Sequence, residues 1–324
     1  MRTMRLSVLF STAWLFTWAF AQQPSLLERA GQEISQVVER ALPAVVTIEA
    51  RLSGRLTRSS GFLIDSSGWV VCSAEGVRTQ TRVTVYLPDG EPVVASVAGV
   101  DNITGLALLQ VNTPLKLPAL SWGESDRAPL GSTVILIGNR SGLEGSVTVG
   151  TLGGKDRVGV RRDNQRVVLL LQFNGTVGSG ESGAPLLDSQ GRVIGVMTGE
   201  LASVEGAPVA SVAVFGFAVP SEIARRVVND LRTKGRAEHA WLGIDYQGLP
   251  TGVVVRRVAM NSPAQRAGIA VGDIVVQFDE KPIRTAADLT RALYFAQPNQ
   301  RVAITVLREG QRISLPVTLG AQSL

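Results

Sequence analysis

The sequence predicts a mainly β protein with two domains. From Ala44 to about Pro220, about a dozen short β-branched runs, such as AVVTIEA, TVILIG and RVIGVMTG, alternate with Gly, Asp, Asn and Ser. Strands of this length and spacing are typical of an all-β sandwich or a pair of barrels. From Trp241 to about Leu319, strand patterns mixed with two short helical patterns indicate a second, smaller domain.

Composition limits the classes of function. The chain has 324 residues, 45% of them hydrophobic and 18% charged, enough to bury two cores. The formal charge of +5 comes from scattered Lys and Arg without an aromatic-studded basic stripe, so it indicates solubility and not nucleic-acid binding. Cys72 is the only cysteine, which excludes an intramolecular disulfide and a CxxC metal or redox site. No cofactor and no metal are predicted.

The first 21 residues have the pattern of a secretory signal peptide. Arg2 and Arg5 precede an uncharged apolar run over 6–20, which ends in the triplet AFA. An uncleaved membrane anchor is the alternative, but the run is shorter than the roughly 18 to 20 apolar residues that span a bilayer. We therefore expect no stable membrane span after cleavage. Export without disulfides favours a bacterial periplasm.

Two helices flank the long β region. Residues 22–43 form an N-terminal segment in which apolar residues recur at helical spacing until Pro43. A second helical pattern begins at Pro220 and ends at Gly235. The polar stretch KGRAEHA follows, so 221–240 is predicted to be a helix and an interdomain linker.

A glycine-flanked serine is the candidate nucleophile. The stretch GSGESGAPL, residues 178–186, places Ser182 between glycines just before a strand. Such glycines let the chain turn tightly, expose the hydroxyl, and aim the amides of Gly180 and Ser182 at one point, as an oxyanion hole requires. Taken alone, the pattern also fits an ordinary turn.

The glycine-flanked serine is one of several motifs that follow one another in a fixed order along the chain. SSGFLIDSSGWVVCSAEGV, GVDNITGLALLQV, LGSTVILIGN, GSGESGAPLLDSQGRVIGV and FGFAVPSEIA resemble the secreted HtrA family of chymotrypsin-like serine proteases. The terminal stretch from AWLGIDYQ to TAADLTRAL resembles that family's PDZ domain. The resemblance implies a chymotrypsin-like double six-stranded β-barrel over 44–220, with an active site between the barrels, followed by a PDZ domain over 241–319.

The catalytic triad implied by this resemblance is incomplete. The positions of its His, Asp and Ser hold Glu75, Gly105 and Ser182. The chain has one histidine, His239, which lies in the linker, where a solvated or interface histidine is expected. Asp101 is four residues before Gly105, a shift of roughly 13 Å along an extended segment, so it cannot orient a base in its place.

A carboxylate is a poor replacement for the missing imidazole. The reference pKa of Glu is about 4.3, roughly two units below that of His, and burial would favour the protonated form, which accepts no proton. Glu181, next to Ser182, is expected to add negative charge near the oxyanion hole. Since the loss of triad members leaves only about 10³- to 10⁴-fold acceleration over water, we predict a pseudoprotease.

The PDZ-like unit predicts a peptide site. Such domains bind an extended peptide as an added strand and hold its terminal carboxylate with main-chain amides at a Gly-containing turn. Leu242, Gly243 and Ile244 match that turn, and Leu289 or Leu293 can face the groove from the following helix. The alternative is that both leucines are core, since residues four apart share a helix face.

Three functions remain open. The first is an exported HtrA-like protein in protein quality control that binds unfolded polypeptides or C-terminal peptides as a chaperone-like or regulatory factor, beside an active HtrA relative. The second is an active serine endopeptidase that uses Ser182 with a non-standard base. The third is a structural PDZ adaptor. The family's trimers generally use N-terminal aromatic residues, and the chain between Gln22 and Phe62 has none, so a homotrimer is in doubt.

Overall fold

The computed structural model describes residues 25–322, except 53, 76, 79–81, 89, 115, 162–165, 199–200, 205–206, 209–212 and 251. The signal peptide predicted over 1–21 lies outside the described residues. Among the described helices, none has the length and apolar character needed to cross a bilayer.

Four α-helices and 22 strands make up the described chain. The helices are α1 (Leu26–Ala41), α2 (Ser221–Lys234), α3 (Pro263–Arg266) and α4 (Ala286–Phe295). The strands are β1 (Val45–Leu52), β2 (Arg55–Leu63), β3 (Trp69–Ser73), β4 (Val83–Tyr86), β5 (Pro92–Asp101), β6 (Leu106–Val111), β7 (Thr133–Arg140), β8 (Leu143–Arg161), β9 (Arg166–Val177), β10 (Pro185–Leu187), β11 (Val193–Met197), β12 (Leu201–Val204), β13 (Ala207–Pro208), β14 (Ala213–Pro220), β15 (Ala240–Trp241), β16 (Ile244–Leu249), β17 (Gly252–Val258), β18 (Ile274–Phe278), β19 (Lys281–Pro282), β20 (Arg301–Arg308), β21 (Gln311–Thr318) and β22 (Gly320–Ala321).

The two barrels predicted from the sequence are present. Strands β1 to β6 close the first barrel in the order β1-β2-β3-β6-β5-β4. In the second, six strands run β8-β7-β10-β11-β14-β9, and the pairing of β8 with β9 closes the ring, while β12 and β13 extend from β8. Runs such as LALLQV in β6 are apolar at nearly every position because both faces of the strand are buried.

Both predicted helices beside the barrels form. Ser25 is the N-cap of helix α1: its side chain accepts from the Glu28 amide while the Glu28 carboxylate accepts from the Ser25 amide, a capping box. Its first turn is exposed, and only Val37 and Ala41 are buried. Helix α2 buries one apolar face against β5, β6 and β11, which fixes the chain's exit from the second barrel.

The C-terminal unit has a core of its own. Its sheet runs β16-β17-β18-β20-β21, and Leu289 of α4 and Val275 of β18 belong to the buried cluster that α4 covers. In this sheet β16 is an edge strand, so one side of its backbone is open for pairing.

Candidate functional site

The fold brings two of the predicted site positions together through strand pairing. Ser73 at the end of β3 lies opposite Leu106 at the start of β6, and the Ala74 amide donates to the Gly105 carbonyl at 2.7 Å. Glu75 follows Ala74 directly. Glu75 and Gly105, which the sequence predicts to stand at the family's His and Asp positions, are therefore neighbours at one end of the first barrel.

The turn that carries Ser182 packs on the same end of β3. Gly183 has φ +84°, and a Cβ built there would lie 2.3 Å from the Ser60 carbonyl oxygen and 2.5 Å from the Ser73 nitrogen. Only glycine permits this approach. The turn that follows Ser182 thus packs against the end of β3, two residues before Glu75.

Ser60 of β2 holds the turn in shape. Its amide donates to the Ser182 carbonyl at 2.9 Å, and its hydroxyl donates to the Gly180 carbonyl at 2.7 Å while accepting from the Asn139 amide at 2.8 Å. Within the described part of the chain, the amides of Gly180 and Ser182 donate no hydrogen bond. They are available to an incoming carbonyl oxygen, as an oxyanion hole needs.

Glu181 lies differently from the prediction. Its carboxylate is fully buried, accepts from the Gly178 amide at 2.6 Å and pairs with Arg140 Nη2 at 3.2 Å. The sequence predicts that Glu181 adds negative charge near the oxyanion hole, and the structure pairs that carboxylate with the Arg140 guanidinium. The sequence carried no sign of this pair, whose members are 41 residues apart.

The turn has no base of the usual kind. Glu75 is exposed, and its amide donates to Ser73 Oγ at 3.1 Å. Gly105 has φ +74° and offers no side chain to orient a base. His239 is only 8% exposed, and its Nε2 lies 3.1 Å from Asp101 Oδ1. The single imidazole of the chain is therefore buried at the boundary between the domains.

Asp101 organises the turn before β6. Its carboxylate accepts from the amides of Ile103 and Thr104 at 3.2 Å each, and from the Thr104 hydroxyl. Burial alone would raise the pKa of Asp101, but hydrogen bonding to His239, its charge, and the bonds from Thr104 together hold the pKa below its ordinary value. The sequence could not reveal this pair, since 138 residues separate its members.

In the PDZ unit, the turn predicted to bind a terminal carboxylate is formed by backbone groups, like the turn at Ser182. Gly243 has φ +82°, and a Cβ there would lie 2.2 Å from Ser262 Cβ. The carbonyls of Leu242 and Gly243 accept from Ala264 and Ala259, both at 2.9 Å. Among the described residues the amides of Leu242 and Gly243 donate to no group, so both can receive a carboxylate.

The two candidate leucines of α4 have different surroundings. Leu289 is fully buried in the core of the C-terminal unit, whereas Leu293 is half-buried and lines a cavity of about 170 Å³. Ile244 begins the edge strand β16 directly after the turn. Of the two leucines, only Leu293 has exposed surface beside this cavity, so it remains the candidate for peptide contact.

Comparison with known proteins agrees with this architecture. A model of the trypsin-like peptidase domain matches 59–196, and a model of the PDZ domain matches 240–319. Putative serine protease HhoA of Synechocystis is 31% identical over 292 residues, which cover 83% of this chain and 71% of that protein. The HtrA-type protease AlgW, solved with a tripeptide, is 25% identical with a TM-score of 0.75, covering 90% of this chain and 97% of that one. This chain belongs to the HtrA family.

Other HtrA relatives are longer. A probable periplasmic serine endoprotease, DegP-like, of Chlamydia trachomatis serovar D is 32% identical over 278 residues, covering 81% of this chain and 54% of that protein. The chain thus spans about half the length of several curated relatives that it matches. A serine endopeptidase from Yersinia pestis has a TM-score of 0.67 at 28% identity, over 89% of this chain and 98% of that one.

Proposed function

We propose that this protein is an exported, periplasmic HtrA-like pseudoprotease that binds unfolded polypeptides or C-terminal peptides in protein quality control. One observation carries the loss of catalysis: the only imidazole is buried and hydrogen-bonded to Asp101. A serine hydroxyl needs a base within hydrogen-bonding reach, and Glu75 and Gly105 occupy the places from which it would act.

The proposed peptide binding depends on backbone groups and does not need a general acid or a general base. The edge of β16 can pair with an extended peptide, and the turn at Gly243 presents amides to a terminal carboxylate. The relatives' names support a periplasmic location, as does the N-terminal signal pattern. An active HtrA protease in the same compartment is a second proposed partner.

Hydrolysis of unfolded casein by the purified mature chain tests the loss of catalysis. We expect the same background rate for the wild type and for Ser182→Ala, because the hydroxyl has no base. Cleavage that disappears in Ser182→Ala would overturn the pseudoprotease assignment.

Peptide capture is tested by binding the same peptides with free and with amidated C-termini. We expect amidation to weaken binding at least about tenfold, since it removes the charged carboxylate to which the turn amides donate hydrogen bonds. Equal binding would refute carboxylate capture. Suppression of casein aggregation separates a chaperone from an adaptor that only tethers one partner.

An active endopeptidase is the second candidate, since the relatives are named serine proteases and the amides of Gly180 and Ser182 stay open. In that case Glu75 would accept the proton of Ser182. Casein cleavage that is lost in both Ser182→Ala and Glu75→Gln would establish it.

A further inference from the structure

A cavity of about 270 Å³ lies beside the hairpin of β7 and β8, where the two barrels adjoin. The first barrel lines it with the start of β1 and the end of β4, and the second barrel lines it with the end of β7 and the start of β8. None of the described residues that line it belongs to the Ser182 site or to the peptide groove beside β16. Its walls have an apolar part and a polar part.

The apolar part comes from the first barrel. Its lining residues are the buried Val45, Val46 and Leu87 and the half-buried Tyr86. An apolar cavity of about 150 Å³ can hold a benzene molecule, so this larger cavity has room for a six-membered ring and a short chain. Apolar walls with a few polar groups are the usual composition of a pocket for a small molecule.

The polar part offers hydrogen-bond acceptors and a negative charge. Asn139 is only 2% exposed; its Nδ2 donates to Thr47 Oγ1 at 3.0 Å, and its Oδ1 has no hydrogen-bond partner among the described residues. The Glu144 side chain, which also lines the cavity, is exposed and forms no ion pair within the described part of the chain. No described lysine or arginine lines the cavity. The polar part therefore favours a cationic donor over an anion.

The polar wall is joined to the Ser182 turn. The Asn139 amide donates to Ser60 Oγ at 2.8 Å, and that hydroxyl donates to the Gly180 carbonyl at 2.7 Å. A Cβ at Gly180 would lie 2.2 Å from the Asn139 carbonyl oxygen, so the turn packs directly on this residue. An occupant of the cavity therefore contacts a residue that supports the Ser182 turn.

The two parts of the wall fit one class of ligand. An ammonium group donates up to three hydrogen bonds and accepts none, which matches the oxygens of Asn139 and Glu144. A single apolar ring matches the side chains of Val46 and Tyr86. We propose that this cavity binds a protonated primary amine carried on a phenyl-sized apolar group, supplied either by a free arylalkylamine or by the amino terminus of a polypeptide that begins with an aromatic residue.

Isothermal titration calorimetry of the mature chain with 2-phenylethylamine tests the site. We expect saturable binding, with 2-phenylethanol, which has the same ring and no charge, at least about threefold weaker. The anion 3-phenylpropionate should bind at least about tenfold more weakly than the amine, because it would bring a second carboxylate to Glu144. Equal binding of the amine and the alcohol would overturn the proposal.

Phenylalanylglycine amide distinguishes the two sources of the ammonium. Binding at least as tight as that of 2-phenylethylamine would identify the amino terminus of a polypeptide, and weaker binding would identify the free amine; either result supports the site. No saturable binding by either cation would overturn it. Because the proposal goes beyond the function proposed above, that failure would leave the pseudoprotease and the capture of C-terminal peptides untouched.

Glu144→Gln is the sharper test, since it removes the charge and keeps the size of the side chain. It should bring the ratio of amine to alcohol affinity close to one and leave the affinity for 2-phenylethanol nearly unchanged. Glu280→Gln is the matched control, because Glu280 is exposed and does not line the cavity, and it should keep the full ratio. A ratio that is unchanged in folded Glu144→Gln contradicts the proposal.

Discussion

The cleft at Ser182 between the two barrels and the groove beside β16 in the PDZ unit need similar backbone geometry. They need different side chains. Each has a glycine turn with positive φ and two amides that donate to no described residue, at Gly180 and Ser182 in the cleft and at Leu242 and Gly243 in the groove. The groove needs little more than this to bind a peptide. The cleft also needs a base and its orienting carboxylate, and the pseudoprotease proposed above has Glu75 and Gly105 in their places.

The comparison shows which part of a site withstands substitution. Hydrogen bonds and packing around the turn orient its amides, such as the bonds that Ser60 makes with the Ser182 turn, and these bonds do not involve the Glu75 side chain. Proton transfer depends on one side chain with a suitable pKa, so one substitution removes it. We therefore propose that the cleft keeps its shape without its chemistry.

The largest expected effect comes from restoring that chemistry. Glu75→His with Gly105→Asp should raise casein hydrolysis by about 10²- to 10⁴-fold, the usual contribution of a positioned base. Gly105 has φ +74°, so the aspartate is expected to lower stability by about 1 to 2 kcal/mol, and Glu75→His alone is the less strained comparison. The same pair in a Ser182→Ala background should stay inactive. A folded, inactive double variant would show that the turn does not form a working oxyanion hole.

The next largest effect tests the glycine turns that the cleft and the groove have in common. Gly183→Ala and Gly243→Ala should each destabilise their domain by about 3 kcal/mol, because the new methyl group meets atoms 2.2 to 2.5 Å away at positive φ. Gly268→Ala is the control, with φ +82° and open space around it, and should lose only about 1 kcal/mol. Urea unfolding midpoints measure all three. Equal losses at the three positions would show that φ strain alone, without packing, explains them.

Much of this arrangement follows from the sequence, and the reasons differ by residue. The order of motifs predicts the two barrels, which the structure confirms, while the roles assigned to Ser182, Glu75 and Gly105 stay predictions. The partners of Glu181 and His239 do not follow, since each pair joins segments far apart in the chain through packing that no local pattern records.

The smallest expected effect comes from the pair of Asp101 and His239, at the boundary between the first barrel and the PDZ unit. Asp101→Asn should lower the free energy of unfolding at neutral pH by about 2 kcal/mol, as expected for a hydrogen bond to a charged group. Because the folded pKa of Asp101 is lowered, its contribution is present above the unfolded value of about 3.9 and is lost as the pH falls through the folded pKa. The difference between wild type and variant should therefore shrink in acid. A constant difference down to pH 2 would contradict the charged pairing.

Cys72 lies in β3, three residues before Glu75, with no exposed surface, and burial raises the pKa of its thiol to about 12. A thiol that is both covered and protonated reacts with alkylating reagents only when β3 leaves the barrel. Since no second cysteine competes, the rate of alkylation reports how often this domain opens. The alkylation rate of Cys72 would therefore show whether a ligand bound beside β16 makes β3 leave the barrel less often.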